Sequence, residues 1–155
     1  SNLRRQRQMC IRDSHHPGHV CLLSDAGLVA GDMVAGIGTI LIPPGTGDMD
    51  VYIEQLQRLQ QLDPHLMFPS HGPVIPLPNK TLAYYIKHRM ERHQRVLDAV
   101  ESGLATIPEI STEAYANTPD AHPGLAQDQT LAHLLSHERA GRVQQTNKGW
   151  IRGDD

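Results

Sequence analysis

Three short stretches of the chain put metal-ligating side chains where a turn could present them. "DSHHPGHV", residues 13–20, holds three histidines within five positions: His15, His16 and His19. "VAGDM" ends an apolar run on Gly31-Asp32, and "PSHGPV" sets His71 in a tight loop after another. Imidazole is the commonest metal ligand and a common general acid or base. Two imidazoles and one carboxylate suit zinc, and with further oxygen ligands manganese or iron. A ligand at a strand end is well held, because the sheet fixes its backbone while the loop leaves room for an ion. Each also has an ordinary reading: Asp32 as a turn residue, His71 as a loop histidine, the 15–19 cluster as loop surface.

The elements that must position these residues follow from the pattern. "HVCLLSDAGLVAGD" (19–32) reads as a β-hairpin, with Val20 to Leu23 and Leu28 to Ala30 as strands and Asp25-Ala26-Gly27 at the turn. A second β-branched run within 36–48 ends at Pro43-Pro44 and a Gly-rich loop. Asp48 then stands as N-cap of an amphipathic helix over 49–62, stopped by Asp63-Pro64. "LMFPSHGPVIPLP" (66–78) is a short buried strand running into a Pro-rich loop, and a long helix over 79–102 starts at an Asn79 N-cap. Beyond a boundary at 102–106 come a short helix (106–115), a helix over 125–140 bearing Leu131, Leu134 and Leu135, and a hairpin (142–151) turning on Asn-Lys-Gly. Helix, helix, hairpin is winged-helix order.

Composition bounds the class. The chain has 155 residues, enough for one domain or two small ones, and its ten histidines are its oddity. With one Phe and one Trp, the core must be mainly aliphatic. No run of about 18 apolar residues occurs, so no membrane span is expected. Cys10 and Cys21 give no disulfide framework and suit the reducing cytoplasm. Within residues 1–14, "QMCIRDS" resembles the translation of an adapter used to prepare sequencing libraries, so this segment is read as a disordered artefact outside the fold. Without it the net charge moves from −3 to about −6, an acidic protein with its start cut off.

The order and spacing of "HHPGHVCLLSDAGLVAGDMVAG", "PSHGPVI" and "YYIKHRMERHQRVL" resemble the C-terminal half of the metallo-β-lactamase superfamily, and within it the β-lactamase-like protein 2 branch with its added winged helix. The resemblance covers the chain from His15 onward. It implies an α/β fold, a partial αββα sandwich over 15–102 followed by a winged-helix-like domain over 103–155. It also implies that His15, Asp32 and His71 are metal ligands, with Asp32 the bridging carboxylate that holds two divalent ions and positions the attacking water. Zinc is expected, manganese or iron being alternatives. His19, which opens a strand four residues after His15, becomes a structural or supporting group rather than a ligand. The family's "HxHxDH" signature does not occur in this sequence, so at most three of seven expected protein ligands are here.

Two classes of function follow. The first is a metal-dependent hydrolase acting on thioesters or esters, with endoribonuclease action on single-stranded RNA as the alternative; this piece alone is expected to be inactive. The second is a nucleic-acid-binding or interaction module centred on the winged helix. Charge tests the second directly: residues 79–155 carry nine Lys+Arg against ten Asp+Glu, with no basic stripe on 125–140. Phosphate binding needs several unopposed cations, so DNA is not an expected partner. His88 could face a substrate cleft or merely a solvated helix face, Tyr84 and Tyr85 read as packing, and His93, His133 and His137 as structural helix residues.

Overall fold

In the computed structural model the described residues are 8–11, by backbone alone, and 19–153. His15 and His16 therefore lie outside the described residues. Four strands, β1 (Gln8–Ile11), β2 (Val20–Ser24), β3 (Gly27–Gly31) and β4 (Met67–Pro69), form one sheet in that order. β2 and β3 are the expected hairpin. Within the segment expected to be disordered, Gln8–Ile11 pairs antiparallel with β2, Gln8 opposite Leu23 and Ile11 opposite Val20. The pairing uses backbone groups that an uncovered β2 edge would leave without partners.

The pleat sorts side chains by face. Cys21, Leu28, Ala30 and Met67 are buried on one side, whereas Val20, Leu22 and Val29 are exposed on the other. Helix α1 (Met49–Gln61) is capped as expected, the Asp48 carboxylate accepting the Asp50 N–H at 2.9 Å. It buries Tyr52, Leu56 and Leu59 along one stripe. Helix α2 (Pro78–Glu101) opens on Pro78, not on an Asn79 cap, because proline's missing N–H costs nothing at the first helical position.

Contacts divide the chain into two units. One comprises Val51–Ile86 with the described part of Ser1–Ile40; the other comprises Leu41–Asp50 and Lys87–Asp155. The division thus falls within α2 and assigns 41–50 to the second unit. The β-branched run before Pro43-Pro44 forms no strand. Ile42 is nevertheless fully buried, because the Gln129 side-chain amide takes the place of a strand partner: Ile42 N–H donates to Gln129 Oε1 (3.1 Å) and Gln129 Nε2 donates to the Ile42 carbonyl (2.8 Å).

In the second unit, α3 (Ile107–Ala114) begins at a capping box, Thr106 and Glu109 satisfying each other's backbone N–H groups. It is followed by α4 (Pro123–Arg139) and a two-stranded sheet of β5 (Val143–Thr146) and β6 (Gly149–Arg152). Val96, Val100, Ile110, Leu134, Val143 and Trp150 share one apolar core. Among the described residues no helix is long and apolar enough to cross a membrane. Leu134 is fully buried in that core, so Leu134→Ala is expected to cost about 2–5 kcal/mol by leaving a cavity. Urea unfolding followed by fluorescence of Trp150, the chain's one tryptophan, measures it directly.

Candidate metal centre

Strand direction decides which residues meet. β3 runs parallel to β4, with Gly31 opposite Pro69, so both strands end at the same edge of the sheet. Asp32 follows one strand end and His71 lies two residues beyond the other. β2 runs antiparallel to β3, which brings its first residue and the preceding His19 to that edge as well. The β3–β4 register shifts between Val29 and Gly31, the kind of irregularity that re-aims side chains at a strand end.

Each of the three is held by backbone. The Ala30 carbonyl accepts from His19 Nε2 (3.0 Å), from the Met33 N–H (3.1 Å) and from the buried Cys21 thiol (3.6 Å). The His19 ring lies against Gly31, whose φ of +55° suits glycine and where an added Cβ would stand 2.7 Å from His19 Nε2. His71 sits in a return loop closed by paired hydrogen bonds between Met67 and Ile75. Its ends are tied to the loop after Asp32, Ser70 N–H donating to the Gly31 carbonyl (3.0 Å) and Gly36 N–H to the His71 carbonyl (2.8 Å). That second loop is fixed from beneath by two phenols. Tyr52 donates to the Met33 carbonyl at 2.9 Å. The Tyr85 hydroxyl accepts from the Ala35 N–H and lies 2.8 Å from the Gly38 carbonyl.

Asp32 and His71 are brought together: Asp32 Oδ1 stands 3.4 Å from His71 Nε2, with the side chains 35% and 74% exposed. Asp32 Oδ1 is itself buried and accepts no hydrogen bond among the described residues, so the imidazole beside it is a neighbour and not a donor. Two ligands of one tetrahedral zinc, each about 2.0–2.2 Å from the ion, stand about 3.4 Å apart. A buried carboxylate oxygen lacking a donor, beside an imidazole nitrogen at that spacing, fits a divalent cation. No group of three or more metal-ligating side chains occurs among the described residues, which do not include His15.

His19 is drawn to the same edge, where its Nε2 donates to the Ala30 carbonyl. His88 falls in the other unit, on α2, where burial first, and then Arg89 and Arg92, hold its pKa below the ordinary value against the opposing pull of Glu91. Sequence reasoning passed over Tyr52 and Tyr85 as loop-setting residues. Their signal was a hydroxyl on the buried stripe of a helix, where it needs a partner.

Over 97% of its length the chain superposes on a β-lactamase domain protein from Burkholderia ambifaria, with a TM-score of 0.82 and 23% identity. A metallo-β-lactamase family protein from Thermus thermophilus matches over 94% with a TM-score of 0.77 and 19% identity. In each case 49% of the solved chain is covered. The fold is thus the α/β fold of metallo-β-lactamase proteins, over half its usual extent. In sequence, the chain is 34% identical over 142 residues to the β-lactamase-like protein 2 homolog of Drosophila melanogaster, across 86% of this chain and 47% of that protein. It is 29% identical over 90 residues to an atrochrysone carboxyl ACP thioesterase of Aspergillus fumigatus, across 57% of this chain and 27% of the enzyme. The chain therefore spans at most about half the length of these curated relatives. No protein-family model matches it.

Gly31→Ala is expected to lower stability by more than about 1 kcal/mol, since alanine is strained at positive φ and its methyl displaces the His19 ring. Gly38→Ala shares the positive φ but meets nothing within 4 Å. The difference between the two variants in urea unfolding isolates the His19 contact.

Proposed function

We propose that Asp32, His71 and His15 hold divalent metal in a hydrolase that cleaves thioesters or related esters. The observation that carries this reading is the buried Asp32 Oδ1, without a donor among the described residues and 3.4 Å from His71 Nε2. Two zinc ions, with Asp32 shared between them, are the proposed cofactor. When bound, such ions polarise the scissile carbonyl and make a coordinated water acidic near neutral pH. The chain's own part is to hold the donors still. Asp32 supplies an anionic oxygen from a strand end locked by the Ala30 carbonyl. His71 supplies a nitrogen from a loop tied at both ends, and its exposed ring leaves the approach open to substrate. The thioesterase among the relatives supports thioesters ahead of single-stranded RNA as the substrate class.

Residues 103–155 we read as a winged-helix-like domain, supported by the order α3, α4, β5, β6. Its excess of acids, seven Asp+Glu against four Lys+Arg, supports a packing or substrate-wall role and argues against DNA binding. The exposed row Val20, Leu22 and Val29 supports the partial-sandwich reading, since the inner face of a two-sheet sandwich is apolar.

Cobalt titration of the chain, followed by its visible absorption, tests the centre without relying on turnover. Asp32→Asn and His71→Ala are each expected to weaken binding by at least about tenfold, the lower bound for disturbing even an outer-shell partner. His65→Ala, at an exposed loop histidine, should leave it unchanged. Binding that survives both site substitutions overturns the assignment. With at most three of the implied ligands present, the chain alone is expected to hydrolyse thioester and RNA substrates little when assayed side by side. Robust zinc-dependent turnover would contradict that ligand count.

A further inference from the structure

The buried stripe of α4 is polar. Ala126, Gln129, Thr130, His133 and His137 follow one helical face and all are buried. Two of them meet a third histidine, His93 of α2. The rings of His93 and His137 stack at 3.6 Å with an interplanar angle of 11°. His93 Nδ1 lies 3.1 Å from His133 Nδ1, and His137 Nε2 lies 2.9 Å from the His93 carbonyl.

These contacts fix where protons sit. A carbonyl only accepts, so His137 carries its hydrogen on Nε2 and leaves Nδ1 bare. That bare nitrogen faces the Arg142 guanidinium at 3.4 Å, a donor. Between His93 and His133 one Nδ1 must donate and the other accept. His133 Nε2 is buried and has no hydrogen-bond partner among the described residues. That favours His133 protonated on Nδ1 with a bare Nε2, because a buried N–H without an acceptor costs more than a lone pair without a donor. Each remaining basic nitrogen then either faces a donor or has no acceptor nearby. The arrangement accommodates three neutral rings and opposes any fourth proton.

We propose that His93, His133 and His137 form a proton-sensitive clasp between α2 and α4, closed while all three rings are neutral and released in acid. The charged groups around it reinforce this. Arg89 and Arg92 of α2 act on His133, and Arg142, just beyond α4, acts on His93 and His137. Asp50 of α1 opposes them at His93 and His137, and Glu101 of α2 at His137, but Asp50 is already engaged by Ser136 and Arg139. Burial, the leading cause in each case, takes His93 down to about 4, His133 well below its ordinary value, and His137 lower as well.

The sign follows from linkage. Above the unfolded value of about 6.5 neither state binds these protons and the clasp costs nothing. As pH falls below that value the unfolded chain takes up protons that the folded unit refuses, so stability drops until the folded rings themselves titrate. A ring kept neutral throughout weakens the folding equilibrium by about tenfold between pH 7.5 and 5.5, so His93 and His133 together account for about a hundredfold.

Equilibrium unfolding of the whole chain across that range, read by Trp150 fluorescence, tests the clasp. Wild type should lose stability steeply, and His133→Leu should flatten the loss by about tenfold in equilibrium constant, one proton's share. A folded His133→Leu protein with undiminished pH dependence overturns the proposal, as does a wild-type midpoint that does not move. Should the variant not fold, nitrogen-15 NMR of the wild-type imidazoles decides. His93 and His133 are expected to remain neutral in the folded protein down to pH 5.5, and either ring titrating near 6.5 without unfolding defeats the clasp.

Discussion

β3 and β4 run parallel, and the candidate metal centre depends on that choice of direction. Antiparallel strands would send Asp32 and His71 to opposite edges of the sheet, whatever their identities. Parallel pairing with Gly31 opposite Pro69 gives them one edge, and the antiparallel hairpin then returns β2 so that His19 starts there too. A parallel pair needs a long connection, which α1 provides. The helix does more than span the gap: through Tyr52 it reaches the Met33 carbonyl and sets the loop that follows Asp32. Scaffold and site are thus secured by the same backbone carbonyls.

The second unit meets a different demand. Its outer core, around Leu134 and Trp150, is aliphatic and ordinary in character. The inner stripe of α4 is amide, hydroxyl and imidazole, and each group has to find a partner or lose stability. Gln129 satisfies both backbone groups of Ile42 and also accepts from Arg89 (2.9 Å). Thr130 turns back on the Ala126 carbonyl (2.8 Å), and Ser136 reaches Asp50 (2.6 Å). Polar packing of this kind is directional, so it specifies one alignment of α4 where an aliphatic stripe would tolerate several.

This contrast explains what the sequence disclosed. Alternation, turn residues and proline stops located the hairpin, α1 and the C-terminal elements, because those signals are local. Asp32 and His71 were legible because a motif named them, and their meeting required only that the strands carrying them be neighbours. Ile42 was misleading: a β-branched run before two prolines has the local preference of a strand, yet its partner is a side chain 87 residues away. The histidines of α2 and α4 were read as structural one at a time, and no single one contradicts that. Spacing at 126, 129, 130, 133 and 137 marks a helical face, but only the pairing of the two helices shows that His93 completes it.

Two buried polar atoms without partners among the described residues summarise the opposite chemistries of the two units, Asp32 Oδ1 and His133 Nε2. A carboxylate oxygen stripped of donors is unfavourable until positive charge reaches it, and a neighbouring imidazole at 3.4 Å marks the direction from which a cation is best received. An imidazole nitrogen stripped of acceptors is tolerable only while it stays bare, and here the nearby guanidinium groups repel a proton rather than invite one. The same defect in hydrogen-bond accounting therefore has opposite consequences. At the sheet edge it supports the proposed metal centre. Between α2 and α4 it underlies the proposed intolerance of protons, which the nearby guanidinium groups reinforce.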